Sequence, residues 1–183
     1  MSVLEVVEKF VSINGEGTKA GQLAVFIRFK GCNLNCKYCD TKWANEADAT
    51  AQQMTKEDIL EYVLSTGVKN VTLTGGEPLL RDGIEDVIEC LADNNLNVEI
   101  ETNGSIPLDN IRKLHKDNVT FTMDYKLSCS GMEQAMRLEN FSVLNKNDTV
   151  KFVAGCNEDL VRTKQIIEKY NPVSYTHLRA HET

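Results

Sequence analysis

Four segments of the chain place hydrophobic residues along one side of a helix. In residues 83–95 they recur at the i, i+3, i+4, i+7 spacing of an amphipathic helix, at Ile84, Val87, Ile88 and Leu91. Residues 55–66, 108–117 and 158–170 have the same helical character. Thr55, with Asp58 three residues later, resembles a capping box in which Asp replaces the usual Glu or Gln.

Short β-branched runs alternate with these helices, in residues 24–31, 70–78, 97–104, 119–126 and 149–155. Five strand-helix units in series predict a parallel sheet with right-handed crossovers. The residues before Ala24 look like a further strand followed by a glycine-containing loop. We therefore predict an α/β fold, a partial parallel (β/α) barrel of five to six strands with an N-terminal extension, as one domain over residues 1–173.

The predicted strands end in "GCNLNC", "TGGEP", "ETNG", "DYKLS" and "AGCN". In parallel α/β barrels the chemistry gathers at the C-terminal ends of the strands. Any one of these loops is equally explained by glycine and asparagine making a turn. Five such loops, each at the C-terminal end of a predicted strand, predict a functional site at that end of the sheet.

Composition and charge narrow the function classes. Hydrophobic residues make up 42% of the 183 residues and charged ones 26%, which is ordinary globular composition. The formal charge of −7 repels phosphate backbones, so nucleic acid is not expected as a partner. No apolar run approaches the roughly 20 residues of a membrane span, and the acidic N-terminus does not look like a signal peptide. We expect a cytoplasmic protein without a membrane partner.

The six cysteines do not form a disulfide framework in a reducing compartment. Cys90 lies at an apolar helical position and is expected to be a buried small hydrophobe. Cys129 and Cys156 lie in loop-like sequence and are interpreted as incidental thiols. The remaining three cluster within "GCNLNCKYCDT", residues 31–41, at Cys32, Cys36 and Cys39.

Three thiolates at Cys-x3-Cys-x2-Cys spacing lack the fourth protein ligand of a closed structural metal site. They can hold three corners of a four-iron, four-sulfur cube and leave one iron open. A zinc knuckle that recruits a distant histidine, or a chance cluster, remains the alternative.

The motif "CNLNCKYC" resembles that of the radical S-adenosylmethionine (SAM) superfamily, with Tyr38 in the aromatic place. "TGGEP", residues 74–78, is similar to the glycine-rich motif of the same superfamily. The resemblance implies a [4Fe-4S] cluster whose open iron chelates SAM and cleaves it to methionine and a 5′-deoxyadenosyl radical. It also implies cosubstrate contacts from Tyr38, Gly75, Gly76 and Glu77, with the carboxylate facing the cationic amino group.

Residues 12–41 resemble, more narrowly, the 7-carboxy-7-deazaguanine synthase family of 7-deazapurine (preQ0 and queuosine) biosynthesis. The family loop reads Gln-Gly-Glu-Gly, and Asn14 stands in place of the Gln. The resemblance implies a ring-contracting lyase that converts 6-carboxy-5,6,7,8-tetrahydropterin to 7-carboxy-7-deazaguanine with loss of ammonia. Arg28 suits the substrate carboxylate by charge-assisted pairing. The rest of the pterin is assigned to Ile13, Asn14, Gly15, Glu16 and Thr74.

Asp40 and Thr41 follow the last cysteine, as they do in this family, where the Thr hydroxyl binds Mg²⁺. Capping of the next segment by these two residues is equally plausible from local sequence. The loop from Asp124 matches a family Ser-Pro-Lys loop at Lys126 and departs from it at Asp124 and Tyr125. All three are predicted to bind SAM, with a salt bridge as the alternative role of Lys126. The resemblance also implies a homodimer and a reductant such as flavodoxin or ferredoxin.

Two other functions stay open: an activase that generates a glycyl radical on a partner protein, and a zinc-stabilised binding module. The "NGEG" loop with Arg28 argues against the activase. The end of the chain, "SYTHLRAHET", shows no strand-helix continuation and resembles a vector- or adapter-derived tail. We expect residues 174–183 to be disordered or foreign to the family, and the family's last strand and terminal segment to be missing.

Overall fold

The computed structural model describes residues 2–171 and the backbone of residues 175–180. Its strands are β1 Leu4–Ile13, β2 Leu23–Phe29, β3 Gln52–Met54, β4 Asn70–Gly75, β5 Asn97–Thr102, β6 Val119–Tyr125, β7 Thr149–Ala154 and β8 Tyr175–Ala180. Its α-helices are α1 Lys56–Thr66, α2 Ile84–Asp93, α3 Asp109–Arg112 and α4 Asn157–Tyr170. Each strand predicted from the sequence is present.

All eight strands form one sheet in the order β3-β1-β2-β4-β5-β6-β7-β8. Strand β1 pairs antiparallel with β2 and β3, and every pair from β2 to β8 is parallel. The six parallel strands therefore follow one another in chain order, as successive crossovers of one hand require. This is the predicted partial barrel with its N-terminal extension.

Three local features differ from the sequence prediction. The third helix ends at Arg112 instead of Asp117, because His115 adopts a left-handed backbone with φ of 52°, which ends the helix. The crossover from β6 to β7 is made by the 3-10 turns Ser128–Ser130, Glu133–Ala135 and Leu138–Ser142. The edge strand β3 was not predicted.

The end of the chain differs as well. The backbone of Tyr175–Ala180 pairs in parallel with β7, so the prediction that the strand pattern stops before residue 174 is wrong for this segment. Residues 174 and 181–183 of the predicted tail lie outside the described residues. The assignment of the tail as foreign to the family stays a prediction.

Both hydrogen bonds of the predicted capping box are present at the start of α1. The backbone N–H of Asp58 donates to the Thr55 hydroxyl at 3.2 Å, and the backbone N–H of Thr55 donates to the Asp58 carboxylate at 2.8 Å. Two orphan donors are satisfied, so Asp serves here as Glu or Gln usually does.

The parallel strands alternate sharply between two kinds of side chain. One face carries the apolar core, including Ile27, Leu73, Ile100, Phe121 and Phe152, all fully buried. The other face, which is the inside of the partial barrel, carries Arg28, Thr74, Glu101, Asp124 and Lys151. Because side chains along a strand alternate with period two, one register sets both the core and the polar interior.

Candidate active site

A cavity of about 450 Å³ opens at the C-terminal ends of the parallel strands. The loop between β2 and β3 contributes Cys32, Leu34, Cys36, Tyr38, Cys39, Asp40, Thr41 and Asn45 to its wall. The sheet and its loops contribute Arg28, Thr74, Gly75, Gly76, Glu101, Thr102, Asn103, Thr122, Asp124, Lys126, Lys151 and Val153, with Glu16 from the loop after β1. Cysteine thiols and a charged floor thus share one site.

The three clustered cysteines all face this cavity. Among the described residues, their sulfurs are not a set whose ligand atoms all lie within 4.8 Å of one another. At least one pair of these sulfurs is therefore more than 4.8 Å apart, whereas thiolates that share one zinc ion at about 2.3 Å lie about 3.7 Å apart. Three separate thiolates can instead hold three corners of a four-iron, four-sulfur cube. The residues present therefore fit an iron-sulfur cluster better than a zinc knuckle.

The sulfur of Cys32 has polar neighbours that suit a ligand thiolate. The backbone N–H of Leu34 donates to it at 3.4 Å, and the side-chain amide of Asn103 donates to it at 3.5 Å. Such outer contacts orient metal ligands and tune the metal. Burial raises the pKa of Cys36, and the charge of Lys126 partly opposes this rise. Cys90, by contrast, lies outside the cavity and is partly exposed instead of buried as predicted.

The paired glycines after β4 let the sheet edge touch the start of the cysteine loop. A Cβ on Gly75 would lie 2.3 Å from the carbonyl oxygen of Phe29, and one on Gly76 would lie 1.9 Å from that of Gly31. The backbone N–H of Gly76 donates to Phe29 at 3.1 Å, and the N–H of Glu77 donates to Gly31 at 3.0 Å. Glycine is needed here because two backbones meet directly.

The Glu77 carboxylate braces the neighbouring loop and does not line the cavity. It is fully buried and accepts hydrogen bonds from the Thr102 hydroxyl at 2.9 Å and the Asn103 backbone N–H at 2.7 Å. Burial raises its pKa to about 7, against the lowering effect of these hydrogen bonds. In this geometry Glu77 acts on a cosubstrate through the loop that it positions.

The predicted SAM-binding residues separate into two groups. Tyr38, Asp124 and Lys126 line the cavity, and the Tyr38 hydroxyl donates to the carbonyl of Val153 at 3.4 Å. The ring of Tyr125 instead packs on Phe152 in the core and is 2% exposed. The predicted direct contact from Tyr125 is therefore wrong in this structure, because its position on β6 points to the opposite face from Asp124.

Three charged side chains form the floor of the cavity. The Asp124 carboxylate lies 2.8 Å from the Lys126 ammonium and 3.3 Å from that of Lys151. Lys151 also contacts Glu16 at 2.9 Å. Burial opposes ionisation of Asp124, but the two ammonium groups hold its pKa below the usual range. Asp124 is thus an anion flanked by two cations.

The predicted substrate residues are only partly brought together. Glu16, Arg28 and Thr74 line the cavity, whereas Ile13 is 65% exposed at the end of β1. The buried Asn14 faces inward: its side-chain amide donates to Glu99, and its side-chain oxygen accepts the Glu16 N–H at 3.1 Å. Gly15 lies between them and is not among the lining residues. Asn14 therefore positions the loop that carries Glu16.

Arg28 and Thr74 each have a carboxylate partner. The Arg28 guanidinium lines the cavity and donates to Glu8 at 2.9 Å. The Thr74 hydroxyl donates at 2.6 Å to Glu101, which lines the cavity and was not singled out from the sequence. Glu101 and Lys151 are the two functional candidates that the sequence analysis missed. The alternation of side chains along β5 and β7 could have identified them, because it places both on the same face of the sheet as Asp124 and Arg28.

The buried carboxyl of Glu101 makes a testable contribution to pH-dependent stability. Burial raises its pKa to about 7 from 4.5. Because the folded protein holds this proton more tightly than the unfolded chain, the stabilisation is present below pH 4.5 and is lost as the pH rises to about 7. Relative to Glu101→Gln, wild type is expected to lose up to about 3 kcal/mol of unfolding free energy over this range. Urea unfolding without substrate measures it.

The exposed Glu139 provides the control, since Glu139→Gln removes the same charge from a solvated position. Its stability is measured over the same pH range, to correct for the loss of one negative charge. A corrected difference between wild type and Glu101→Gln that does not change with pH would contradict the assignment of a buried, proton-holding carboxyl at position 101.

Asp40 and Thr41 both line the cavity. Thr41 occupies the N-cap position of the 3-10 turn Lys42–Asn45, but its side chain makes no capping hydrogen bond. Its hydroxyl lies 3.6 Å from the Cys39 sulfur. The sequence left two roles for Thr41, capping of the next segment and binding of Mg²⁺. The Thr41 side chain does not cap this turn.

Comparison with known proteins places the chain among radical enzymes. Residues 26–125 match the radical SAM superfamily. The chain is 59% identical over 168 residues to a 7-carboxy-7-deazaguanine synthase from Clostridium acetobutylicum, covering 91% of this chain and 76% of that protein. It is 34% identical to another from Methanospirillum hungatei, covering 91% and 68%.

Solved structures share the fold. The crystal structure of QueE from Escherichia coli superposes with a TM-score of 0.73 at 23% identity, covering 98% of this chain and 85% of that one. Streptococcus suis SuiB bound to S-adenosylmethionine gives 0.62 at 14% identity, covering 86% and 42%. Among the residues that the structure describes, no helix is long and apolar enough to cross a membrane.

Proposed function

The chain belongs to the radical SAM superfamily and, within it, to the 7-carboxy-7-deazaguanine synthase family, and from this membership we propose which residues carry the reaction. The protein is a carbon-nitrogen lyase of the 7-deazapurine pathway. The observation that carries the residue assignment is one cavity in which three thiols face a floor of paired charges.

At the mouth of the cavity, Cys32, Cys36 and Cys39 hold the [4Fe-4S] cluster. When bound, the cluster and SAM supply the radical that starts the ring contraction. Gly75 and Gly76 expose backbone to the methionine moiety, and the Lys126 ammonium offers a partner to its carboxylate. Tyr38 fixes the cysteine loop against β7 through its hydroxyl.

Deeper in the cavity, Arg28 pairs with the carboxylate of 6-carboxy-5,6,7,8-tetrahydropterin. Glu16 and Glu101 face the guanidine-like edge of the pterin, whose donors match two carboxylates. Because Thr74 donates to Glu101, it leaves the second oxygen of that carboxylate for the substrate. Lys151 holds Glu16 in place through an ion pair, and the Asn14 side chain holds the same loop by accepting the Glu16 N–H.

We assign Mg²⁺ to the Thr41 hydroxyl. This hydroxyl makes no capping hydrogen bond, lies beside the cysteine loop and is the kind of hard oxygen ligand that Mg²⁺ prefers. Thr41→Ala is expected to raise the magnesium concentration for half-maximal turnover at least about tenfold. Thr41→Ser keeps the oxygen and is expected to behave as wild type. Equal magnesium dependence of the alanine variant and wild type would remove Thr41 as a ligand.

We further propose a homodimer, a one-electron reductant such as flavodoxin or ferredoxin, and a cytoplasmic location. Support for the dimer comes from the β1–β2 hairpin, where Ile13 and Leu23 lie opposite each other and are 65% and 54% exposed. Adjacent exposed apolar side chains are typical of association surfaces.

The deciding experiment is anaerobic reconstitution with iron and sulfide, followed by product analysis with SAM, Mg²⁺, reductant and the carboxytetrahydropterin. We expect 7-carboxy-7-deazaguanine from wild type and from Cys90→Ser, and neither cluster nor product from Cys36→Ser. A brown protein that yields only 5′-deoxyadenosine would keep the radical chemistry and contradict the substrate assignment. Colourless protein that carries zinc would contradict the cluster.

A further inference from the structure

Two cysteines that the sequence treats as incidental lie side by side. Cys129 follows β6 and Cys156 precedes α4, and their sulfur atoms are 2.6 Å apart. The buried Asp159 carboxylate lies beside them and accepts backbone N–H groups from Cys129 at 3.2 Å and Gly155 at 2.9 Å. The pair is separate from the cluster cysteines, since neither Cys129 nor Cys156 lines the cavity.

Cys129, Cys156 and Asp159 lie close enough together to hold a metal ion, but the two sulfurs are nearer to each other than two ligands of one ion. A disulfide bond is about 2.05 Å long. Two thiolates that share a tetrahedral zinc ion at about 2.3 Å would lie about 3.7 Å apart. The observed 2.6 Å is closer to the bond, and both oxygens of Asp159 already accept backbone hydrogen bonds.

The local backbone also accommodates this pairing. A Cβ added to Gly155 would lie 3.0 Å from the Cβ of Cys129 and 3.6 Å from its sulfur. A side chain at position 155 would therefore press on Cys129 and push it away from its neighbour. Glycine at 155 keeps the approach open.

We propose that Cys129 and Cys156 are a modification site, a dithiol that closes to a disulfide by exchange with a low-molecular-weight disulfide. Contact with Cys156, burial and the neighbouring Asp159 raise the pKa of Cys129. In the proposed exchange, Cys156 attacks first. The Cys156 sulfur bonds to one sulfur of the small disulfide and releases one small thiol. Cys129 then attacks the mixed disulfide, and its proton goes to the departing small thiolate, which is released as the second thiol. Two protein thiols are oxidised and one small disulfide is reduced.

The bond would join the two segments that support the cysteine loop. The carbonyl of Ser130, next to Cys129, accepts the backbone N–H of Lys37 at 3.0 Å. The carbonyl of Val153, three residues before Cys156, accepts the Tyr38 hydroxyl at 3.4 Å. Lys37 and Tyr38 lie between Cys36 and Cys39 in the chain. The cross-link therefore fixes the wall against which the cluster loop rests.

Peptide mapping tests the pair directly in the full, cluster-loaded chain. The protein is incubated anaerobically with oxidised glutathione, quenched with iodoacetamide and digested with trypsin. Residues 127–137 and 152–162 are expected to be recovered as one linked species, lighter than the two thiol peptides by two hydrogen atoms. Dithiothreitol is expected to restore the two separate alkylated peptides.

Single substitutions sharpen the result. Cys129→Ser is expected to leave Cys156 as a glutathione mixed disulfide, and Cys90→Ser is expected to form the wild-type link. Alkylation of both thiols in oxidised wild type would overturn the proposal, and so would links to Cys32, Cys36 or Cys39. Thiols that resist alkylation until a chelator removes zinc would overturn it in favour of a metal site. None of these outcomes depends on turnover, so the proposed function is tested separately.

Discussion

Replacing Gly76 by alanine is expected to lower kcat/KM at least about 100-fold, because the added methyl group has no space beside the cysteine loop. The new Cβ would lie 1.9 Å from the Gly31 carbonyl oxygen, 2.2 Å from its carbon and 2.5 Å from the Asn45 side-chain oxygen. The first two are backbone atoms, and Cys32 follows directly. Relief of the overlap therefore displaces the first cluster ligand.

The same substitution is expected to reduce cluster loading, which iron and sulfide analysis of the reconstituted protein measures. Overpacking of this kind costs about 1–3 kcal/mol, so thermal unfolding of the apoprotein should move to lower temperature. Gly15→Ala is the steric control, because a Cβ at Gly15 meets no atom within 4 Å, and its cluster loading should match wild type. Normal loading and turnover in Gly76→Ala would show that the close approach of these backbones is not needed.

The sequence predicted the architecture because its strand and helix patterns are strong. Short β-branched runs marked every parallel strand from β2 to β7, and the helical period marked α1, α2 and α4. It failed where the deciding contact is remote in sequence. Strand β3 pairs with β1, and nothing in three residues of sequence indicates that partner. The short α3 was overestimated because a left-handed His115 is not visible in hydrophobic spacing.

The site residues that belong to a sequence motif could be predicted. Those that only the folded sheet brings together could not. The cysteines and paired glycines have a fixed spacing, so their shared cavity was expected. Glu101 begins the "ETNG" stretch but was not singled out within it, and Lys151 belongs to no motif. Each meets its partners across the sheet. Strand parity could have found them and could have excluded Tyr125, because the residue beside Asp124 on β6 must point to the opposite face.

Lys151→Met is expected to destabilise the protein by about 3–5 kcal/mol, as is typical when one partner of a buried ion pair is removed. The Lys151 ammonium contacts Glu16 at 2.9 Å and Asp124 at 3.3 Å, and all three side chains are 17% exposed. Met keeps most of the volume and removes the charge. Asp124 retains Lys126 at 2.8 Å, and Glu16 loses its contact with the Lys151 ammonium. Urea unfolding measures the loss.

A double-mutant cycle separates the Glu16 contact from the rest. With Glu16→Gln in the background, Lys151→Met no longer breaks an ion pair with a carboxylate at position 16, so its cost should fall by about 1.5–3 kcal/mol. Turnover should fall at least about 100-fold in every member of the cycle, because both charges shape the substrate end of the cavity. Additive stabilities would mean that water screens the pair. A mostly buried carboxylate needs a cation beside it. Full stability with full turnover in Lys151→Met would therefore show that the charged residues of the cavity floor are not needed for the reaction.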